Sequence, residues 1–277
     1  MDIQNLMNLL NLSDKTAVVT GGAGVLCSAI CRMLGSGGVR IAVLDKLDEA
    51  AYTLSAEICA DGGEAIAITC DVLNRDSIEA AAQEILASFG QVDILINGAG
   101  GNKSEATTNT ERTFFELPPD AMGMVVNLNL LGTMLPSQVF GKIMAQQDHG
   151  VILNISSMNA LRPLTRIPAY SAAKAGVTNF TQWLAVHMAQ EYSPRIRVNA
   201  IAPGFFLTEQ NRFLLIDNEA CSLTTRGRAI IDHTPQARFG TADDLLGIVL
   251  FLLSPASSFI TGIVIPVDGG FSAYSGV

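Results

Sequence analysis

Seven short runs of aliphatic and β-branched residues are spaced along the 277 residues of this chain, at 16–20, 40–44, 65–69, 92–97, 151–155, 197–202 and 263–267. Within the runs apolar residues follow one another without polar alternation. A strand needs that pattern only when both of its faces are buried. Longer segments of helical character lie between them, at 25–34, 47–60, 75–89, 120–147, 169–192 and 243–253. Strands alternating with helices connect through right-handed crossovers. The pattern therefore predicts an α/β fold: a doubly wound, parallel, seven-stranded sheet with helices on both faces. No repeat, low-complexity tract or linker divides the sequence, so 1–277 is read as a single domain. Two stretches, 98–119 and 205–235, fit no regular element. Each follows a predicted strand, and ligands of such sheets bind beyond the carboxyl ends of the strands. Both stretches are expected to face a substrate.

Composition narrows the function classes. Seventeen lysines and arginines against 26 acidic residues leave a net charge of −9. That balance argues against a nucleic-acid or anionic-membrane partner. It leaves room for an anionic small molecule, which needs only one or two local cations. The five cysteines, Cys27, Cys31, Cys59, Cys70 and Cys221, form no CxxC and are odd in number, so they read as reduced thiols. His149, His187 and His233 are scattered without ligand spacing, and no metal site is expected. Residues 1–12 lack a basic leader and a cleavage site, and no apolar run reaches the length of a membrane span. The expectation is a soluble, cytoplasmic protein.

The first predicted strand runs into Gly21-Gly22-Ala23-Gly24-Val25-Leu26-Cys27. Read as G-x-G-x-x-G, this is Gly22, Gly24 and a cysteine in the third position. Such a turn lets backbone approach a pyrophosphate at a helix N-terminus. Asp45 closes the second strand, where a carboxylate accepts ribose hydroxyls and repels a 2′-phosphate. That predicts NAD(H) over NADP(H), with Lys46 next to it able to soften the preference. Asp71 and Val72 end the third strand, where an adenine ring would pass. Asn97, Ala99 and Gly100 follow the fourth strand, and Pro203 and Gly204 follow the sixth.

A second constellation lies beyond the fifth strand. Ser157 stands thirteen positions before Tyr170, and Lys174 four positions after it. On a helix, residues i and i+4 share a face. An ammonium beside a phenol favours the phenolate, so Lys174 is expected to lower the Tyr170 pKa and make it a usable acid/base. The Ser157 hydroxyl can hold a substrate oxygen against the tyrosine.

In their order and spacing, TGGAGVLC at 20–27, Asp45, Asp71, NGAG at 97–100, NLLGT at 129–133, ISS ending at Ser157, YSAAK at 170–174, PG at 203–204 and VDGG at 267–270 resemble the short-chain dehydrogenase/reductase family over nearly the whole chain. The resemblance implies a Rossmann-type domain, a homotetramer and a defined set of roles. Tyr170 is then the general acid/base, and Lys174 holds the nicotinamide ribose. Ser157 orients the carbonyl, and Asn129 completes a water-linked proton relay, with Asn127 as its rival. Gly21, Gly22, Gly24, Val25, Leu26, Asp45, Asp71, Val72, Asn97, Ala99, Gly100, Pro203, Gly204 and Thr208 join Tyr170 and Lys174 around the cofactor, Thr208 at its carboxamide. Val25 and Cys27 stand where the family pattern has glycines, and Gly98 where it has asparagine. If Cys27 crowds the pyrophosphate turn, Cys27→Gly should tighten NADH binding.

GAGGN at 98–102, NLLGTMLPSQVF at 129–140 and FITGIVIPVDGGFSAYSGV at 259–277 are similar to one branch, the D-mannonate oxidoreductases (fructuronate reductases). A sugar-acid substrate needs a cation or amide cluster for its carboxylate. Asn102, Lys103, Arg162, Arg166 and Arg212 lie on the loops predicted to ring the site. Phe205 and Phe206 could wall the nicotinamide or belong to the core. The expected reaction interconverts D-fructuronate and D-mannonate. Alternatives are another sugar-acid or polyol dehydrogenase, such as a 5-ketogluconate reductase, or a non-catalytic NAD-binding regulatory protein.

Overall fold

Strand β1 (Thr16–Thr20) is buried at all five positions, and the sheet is built outward from it. In the computed structural model, which describes residues 2–207, 212, 215–217 and 222–276, β1 pairs in parallel with β2 (Arg40–Asp45) on one side and β4 (Ile94–Asn97) on the other. With β3 (Glu64–Thr69), β5 (Gly150–Ile155), β6 (Ile196–Pro203) and β9 (Val264–Val267), the parallel sheet has the order β3-β2-β1-β4-β5-β6-β9. A separate antiparallel ribbon pairs β7 (Ile216–Asp217) with β8 (Ser222–Leu223). The chain winds outward from β1 to β3 and then returns to the other side of β1. The reversal between β1 and β4 sends the chain after each to opposite faces of the sheet and leaves a crevice at their carboxyl ends.

Helices cover both faces, as continuous apolar strands require. On one face α2 (Val25–Ser36), α3 (Asp48–Ala60) and α9 (Asp243–Leu253) bring Ile30, Leu34, Leu54, Ile58, Val249 and Leu252 against Ala17 and Val19. On the other, α4 (Arg75–Phe89), α6 (Gly132–Gln147) and α7 (Pro168–Glu191) bring Ile78, Ile85, Phe140, Met144, Leu184 and Met188 against Val18. Each such side chain stabilises the fold by about 1.5–3 kcal/mol through burial. The ends of α4 show why the sequence marks them. Asn74 accepts the Ser77 N–H at the start, and Gly90 takes φ 78° at the end, where other residues are strained.

Every predicted strand is present, with ends within two residues of those expected. The predicted helix over 120–147 is instead α5 (Pro119–Val126), a π turn over Asn127–Leu131, and α6. The stretch 205–235, expected to be irregular, holds the β7–β8 ribbon and α8 (Thr225–Asp232). A short helix α1 (Ile3–Leu10), capped by Asp2, precedes the sheet. Cys27, Cys31, Cys59 and Cys70 are free thiols, and Cys221 lies outside the described residues. Among the described residues no helix is long and apolar enough to cross a membrane, and no cluster of three His, Cys, Asp or Glu could hold a metal ion.

At the amino-terminal edge of the sheet, away from the crevice, Asp93 is a buried polar hub, 4% exposed. It accepts hydrogen bonds from the Thr16 N–H (2.9 Å), Lys15 Nζ (3.0 Å) and Gln91 Nε2 (2.8 Å), and His149 Nε2 lies 3.1 Å away. Burial alone would raise its carboxyl, but the Thr16 amide, Lys15 and His149 outweigh it and hold it below the ordinary value. A carboxyl depressed on folding stabilises the fold at neutral pH, and that contribution is lost as pH falls through the carboxylate range. Asp93→Asn should therefore lose about 2 kcal/mol at pH 7. Urea unfolding should show the difference shrinking toward pH 3; an equal difference at both pH values would contradict this account of the hub.

Candidate active site

A cleft of about 790 Å³ opens beyond the carboxyl ends of the strands, at the crevice between β1 and β4. Its floor is the turn after β1. Gly21 has φ +60°, and a β-carbon there would stand 2.8 Å from both the N and the Cα of Ala99. Only glycine satisfies both demands, and the first and fourth strand loops touch as a result. Gly24 is the N-cap of α2 and has no side chain to cap it. The first-turn N–H groups from Val25 onward are thus free for an anion. Gly21, Gly24, Val25 and Leu26 line the cleft. Gly22 instead packs against β2, its N–H bonded to Leu44 O at 3.1 Å.

Asp45, Asp71 and Val72 line the cleft wall. The two Asp45 oxygens accept the Ala23 N–H (3.1 Å) and the Leu47 N–H (3.0 Å), which fixes the carboxylate in orientation. Lys46 turns its ammonium to Asp71 at 3.1 Å. The Leu73 amide and then Lys46 hold the Asp71 carboxyl below its ordinary value. Lys46 is therefore engaged by Asp71, and in this arrangement it offsets little of the Asp45 charge. These groups fit the adenosine half of a dinucleotide: a fixed carboxylate for ribose hydroxyls, and glycine backbone with a bare helix N-terminus for the pyrophosphate.

The second constellation meets the first across the cleft. β5 ends at Ile155, and Ser157 follows with its Oγ accepting the Asn159 N–H at 3.2 Å. Pro168 occupies the first helical position of α7, so Tyr170 falls in the opening turn and Lys174 one turn later. Lys174 Nζ donates to Ile155 O at 2.7 Å and lies 5.7 Å from the centre of the Tyr170 ring. Lys174 is only 4% exposed, and burial pulls its pKa down to about 8. The Tyr170 phenol is pushed up by burial, against a smaller opposing effect of the Ser157 hydroxyl. The expectation that Lys174 lowers the phenol is thus not met: burial dominates, and the serine supplies the offset. Near neutral pH the site presents a protonated phenol beside a buried ammonium.

Asn129 is fully buried in the π turn. Its Nδ2 donates to Gly101 O (2.7 Å) and Val125 O (2.8 Å), and its Oδ1 accepts the Gly101 N–H (3.2 Å). The extra residue of the π turn rotates Asn129 inward, where it clamps the glycine loop after β4. Its rival Asn127 lies on the cleft wall. Ala99, Gly100, Pro203 and Gly204 also line the cleft. Asn97, expected at the cofactor, is a correction: it is buried below the cleft, its Nδ2 bonded to Ser137 Oγ (2.9 Å) and Asn154 Oδ1 (2.8 Å). It ties β4 to β5 and α6. Thr208 lies outside the described residues.

The predicted substrate residues divide. Asn102 and Lys103 line the cleft. Asn102 is bonded to Thr107 at 2.8 Å, and Lys103 Nζ has the Met124 thioether at 3.2 Å, a weak acceptor for an ammonium. Arg162 is committed elsewhere, its Nε donating to Ser272 O at 3.1 Å and so tethering the C-terminal segment. Arg166 is exposed, and its carbonyl accepts the Thr108 N–H at 2.9 Å, joining the two loops. Arg212 is exposed, with its immediate neighbours outside the described residues. Arg226 on α8 lies near Arg166 and is not among the residues lining the cleft. Partial burial and the nearby Arg166 charge hold its guanidinium below the ordinary range. No sequence signal singles it out, because the long connection from Tyr170 to α8 is closed only by the fold. Phe206 is buried and Phe205 packs edge-on to Phe271 at 5.1 Å, and both also line the cleft.

Residues 15–218 match the short chain dehydrogenase family model. An oxidoreductase of Bacillus subtilis, UxuB, itself uncharacterized, is 50% identical over 96% of this chain and 98% of its own. A Haemophilus influenza crystal structure carrying the provisional name D-mannonate oxidoreductase, with bound NAD, is 48% identical with a TM-score of 0.91, over 96% of this chain and 98% of that one. The 2-dehydro-3-deoxy-D-gluconate 5-dehydrogenase of Escherichia coli is 33% identical over 97% of this chain and 99% of its own.

The buried ammonium yields a test of the site's energetics. A lysine pKa lowered from 10.5 to about 8 on folding costs the fold roughly 3 kcal/mol below pH 8, and the cost fades as pH rises toward 10.5. Lys174→Met removes that cost and forfeits one hydrogen bond to Ile155, about 1 kcal/mol. The variant should unfold at a Tm no lower than the parent at pH 7 while turnover is lost. A Tm several degrees lower would contradict the charge-burial account.

Proposed function

The chain belongs to the short-chain dehydrogenase/reductase family and is an NAD(P)-dependent oxidoreductase; from that premise we propose that it uses NAD(H) to interconvert a keto sugar acid and its hydroxy form, D-fructuronate and D-mannonate. One observation carries the reading: Ser157, Tyr170 and Lys174 line the same cleft as the fixed carboxylate of Asp45. When bound, the nicotinamide cofactor supplies the hydride for reduction and accepts it in oxidation. Ser157 and Tyr170 hold the carbonyl oxygen between their hydroxyls. Tyr170 gives that oxygen its proton, and the Lys174 ammonium stabilises the phenolate left behind. Asn129 holds the Gly101 backbone, and with Lys174 and water it returns a proton to Tyr170. Asp45 disfavours a 2′-phosphate, hence NAD(H) over NADP(H).

The substrate class rests on the cations and on the relatives. Lys103 lines the cleft with the Met124 thioether 3.2 Å from its Nζ, and the Arg166 and Arg226 charges lie near each other on the loop and helix beyond. The Haemophilus structure has NAD and a mannonate oxidoreductase name, and the Escherichia coli relative is named for a keto sugar acid. The latter favours a second reading, a different sugar-acid dehydrogenase with the same catalytic residues. We further propose a cytoplasmic homotetramer. An aromatic stack on α7, with Trp183 56% exposed and its ring 4.7 Å from His187, supports burial against another copy.

Purified protein should oxidise NADH with D-fructuronate at least tenfold more efficiently than NADPH. Tyr170→Phe should lower kcat by about a thousandfold or more while NADH Kd stays within threefold. Turnover only of other keto sugar acids would move the assignment to the second reading. NADH binding without turnover of any ketone would overturn the enzymatic proposal in favour of a binding protein.

A further inference from the structure

The two departures from the family pattern, Cys27 for glycine and Gly98 for asparagine, meet in one contact. A β-carbon placed on Gly98 would overlap Cys27 Sγ. The same β-carbon would stand 3.7 Å from Cys27 Cβ, an ordinary distance, and 2.9 Å from Thr20 O. The sulfur is the nearer obstacle, and the Thr20 carbonyl is a second that cannot rotate away. Cys27 sits in the first turn of α2, where one of three χ1 rotamers is disfavoured, which limits how far the sulfur can swing away. Burial pushes the thiol up to about 12, so it is an uncharged packing group.

The contact lies at the seam between the loops after β1 and β4. The Gly98 N–H is within hydrogen-bond reach of Thr20 O (3.1 Å) and Thr20 Oγ1 (3.2 Å), and the Ala99 N–H of the same hydroxyl (3.3 Å). One residue away, Gly21 touches Ala99. Both loops line the cofactor cleft. A side chain at 98 must push the sulfur off its rotamer or one loop off the other.

We propose that Cys27 is a cofactor-positioning residue that acts through Gly98: its sulfur fills the space a side chain at 98 would take, and the pair sets the spacing of the loops that hold the dinucleotide. This rests on the NAD(H) reading of the cleft. It also replaces the expectation that Cys27→Gly tightens NADH binding, since removing the sulfur leaves the seam underfilled.

The test is a double-mutant cycle of Cys27→Ala and Gly98→Ala, read by NADH fluorescence titration with Tm measured alongside. Gly98→Ala alone should weaken NADH binding at least tenfold. In the Cys27→Ala background the same change should cost no more than threefold, the remainder reflecting the Thr20 carbonyl. Equal losses in both backgrounds, or unaltered binding by Gly98→Ala, would overturn the proposal. If Gly98→Ala does not fold, recovery of folding and NADH binding by the added Cys27→Ala supports the pairing, and failure of both variants to fold overturns it. If the parent protein binds neither NADH nor NADPH, the cofactor reading fails; Tm coupling between the substitutions then decides the pairing on its own.

Discussion

Lys174 carries an ammonium into the interior of the protein, and the architecture of the site follows from keeping it there. The charge is held against the last carbonyl of β5 at 2.7 Å, so its position is only as good as the register of that strand. β5 is central, paired with β4 and β6, and α7 is fixed against the same sheet by Leu184 and Met188. One strand end and one helix start thereby converge on Ser157, Tyr170 and Lys174. The opposing tendencies of burial are informative. It raises the phenol and lowers the ammonium, so the phenol holds its proton more firmly than the lysine does and stays the proton donor near neutral pH.

The cofactor side depends on close backbone approach rather than on charge. Gly21 against Ala99, and Cys27 against Gly98, lock the loops after β1 and β4 together. From the other side Asn129 holds Gly101 through both ends of its amide. Beneath them a buried polar chain runs from Ser137 through Asn97 and Asn154 to Thr181, joining α6, β4, β5 and α7. Asn97 Oδ1 is buried without a hydrogen-bond partner among the described residues, so the tie runs through its Nδ2, and the chain fixes the relative heights of the elements that carry the site.

Much of this was legible in the chain. The strands could be read because two-sided burial leaves uninterrupted apolar runs. The Ser157, Tyr170 and Lys174 constellation could be read because i, i+4 spacing on a helix is a geometric statement. Spacing gives adjacency, however, and not depth, so it did not reveal that burial raises the phenol with Ser157 as the offset. The π turn at Asn127–Leu131 escaped because one extra residue leaves the hydrophobic period almost unchanged. α8 and the β7–β8 ribbon are too short and polar to show a period at all. Asn97 looked like a cofactor ligand from its neighbours in sequence, yet strand alternation turns it to the face covered by α6. Arg162 lay near the catalytic pair in sequence and is taken by the C-terminal segment.

The central claim is that a buried, charged Lys174 assists proton donation by Tyr170. The most direct measurement is the pH dependence of kcat/KM for carbonyl reduction, which reports groups of the free enzyme. The rate should fall as pH rises through about 8, where Lys174 loses its proton. In Lys174→Arg, whose guanidinium keeps its charge, residual activity should show no break there. A parent profile that is flat through pH 8, or a break that persists unchanged in Lys174→Arg, would contradict the claim.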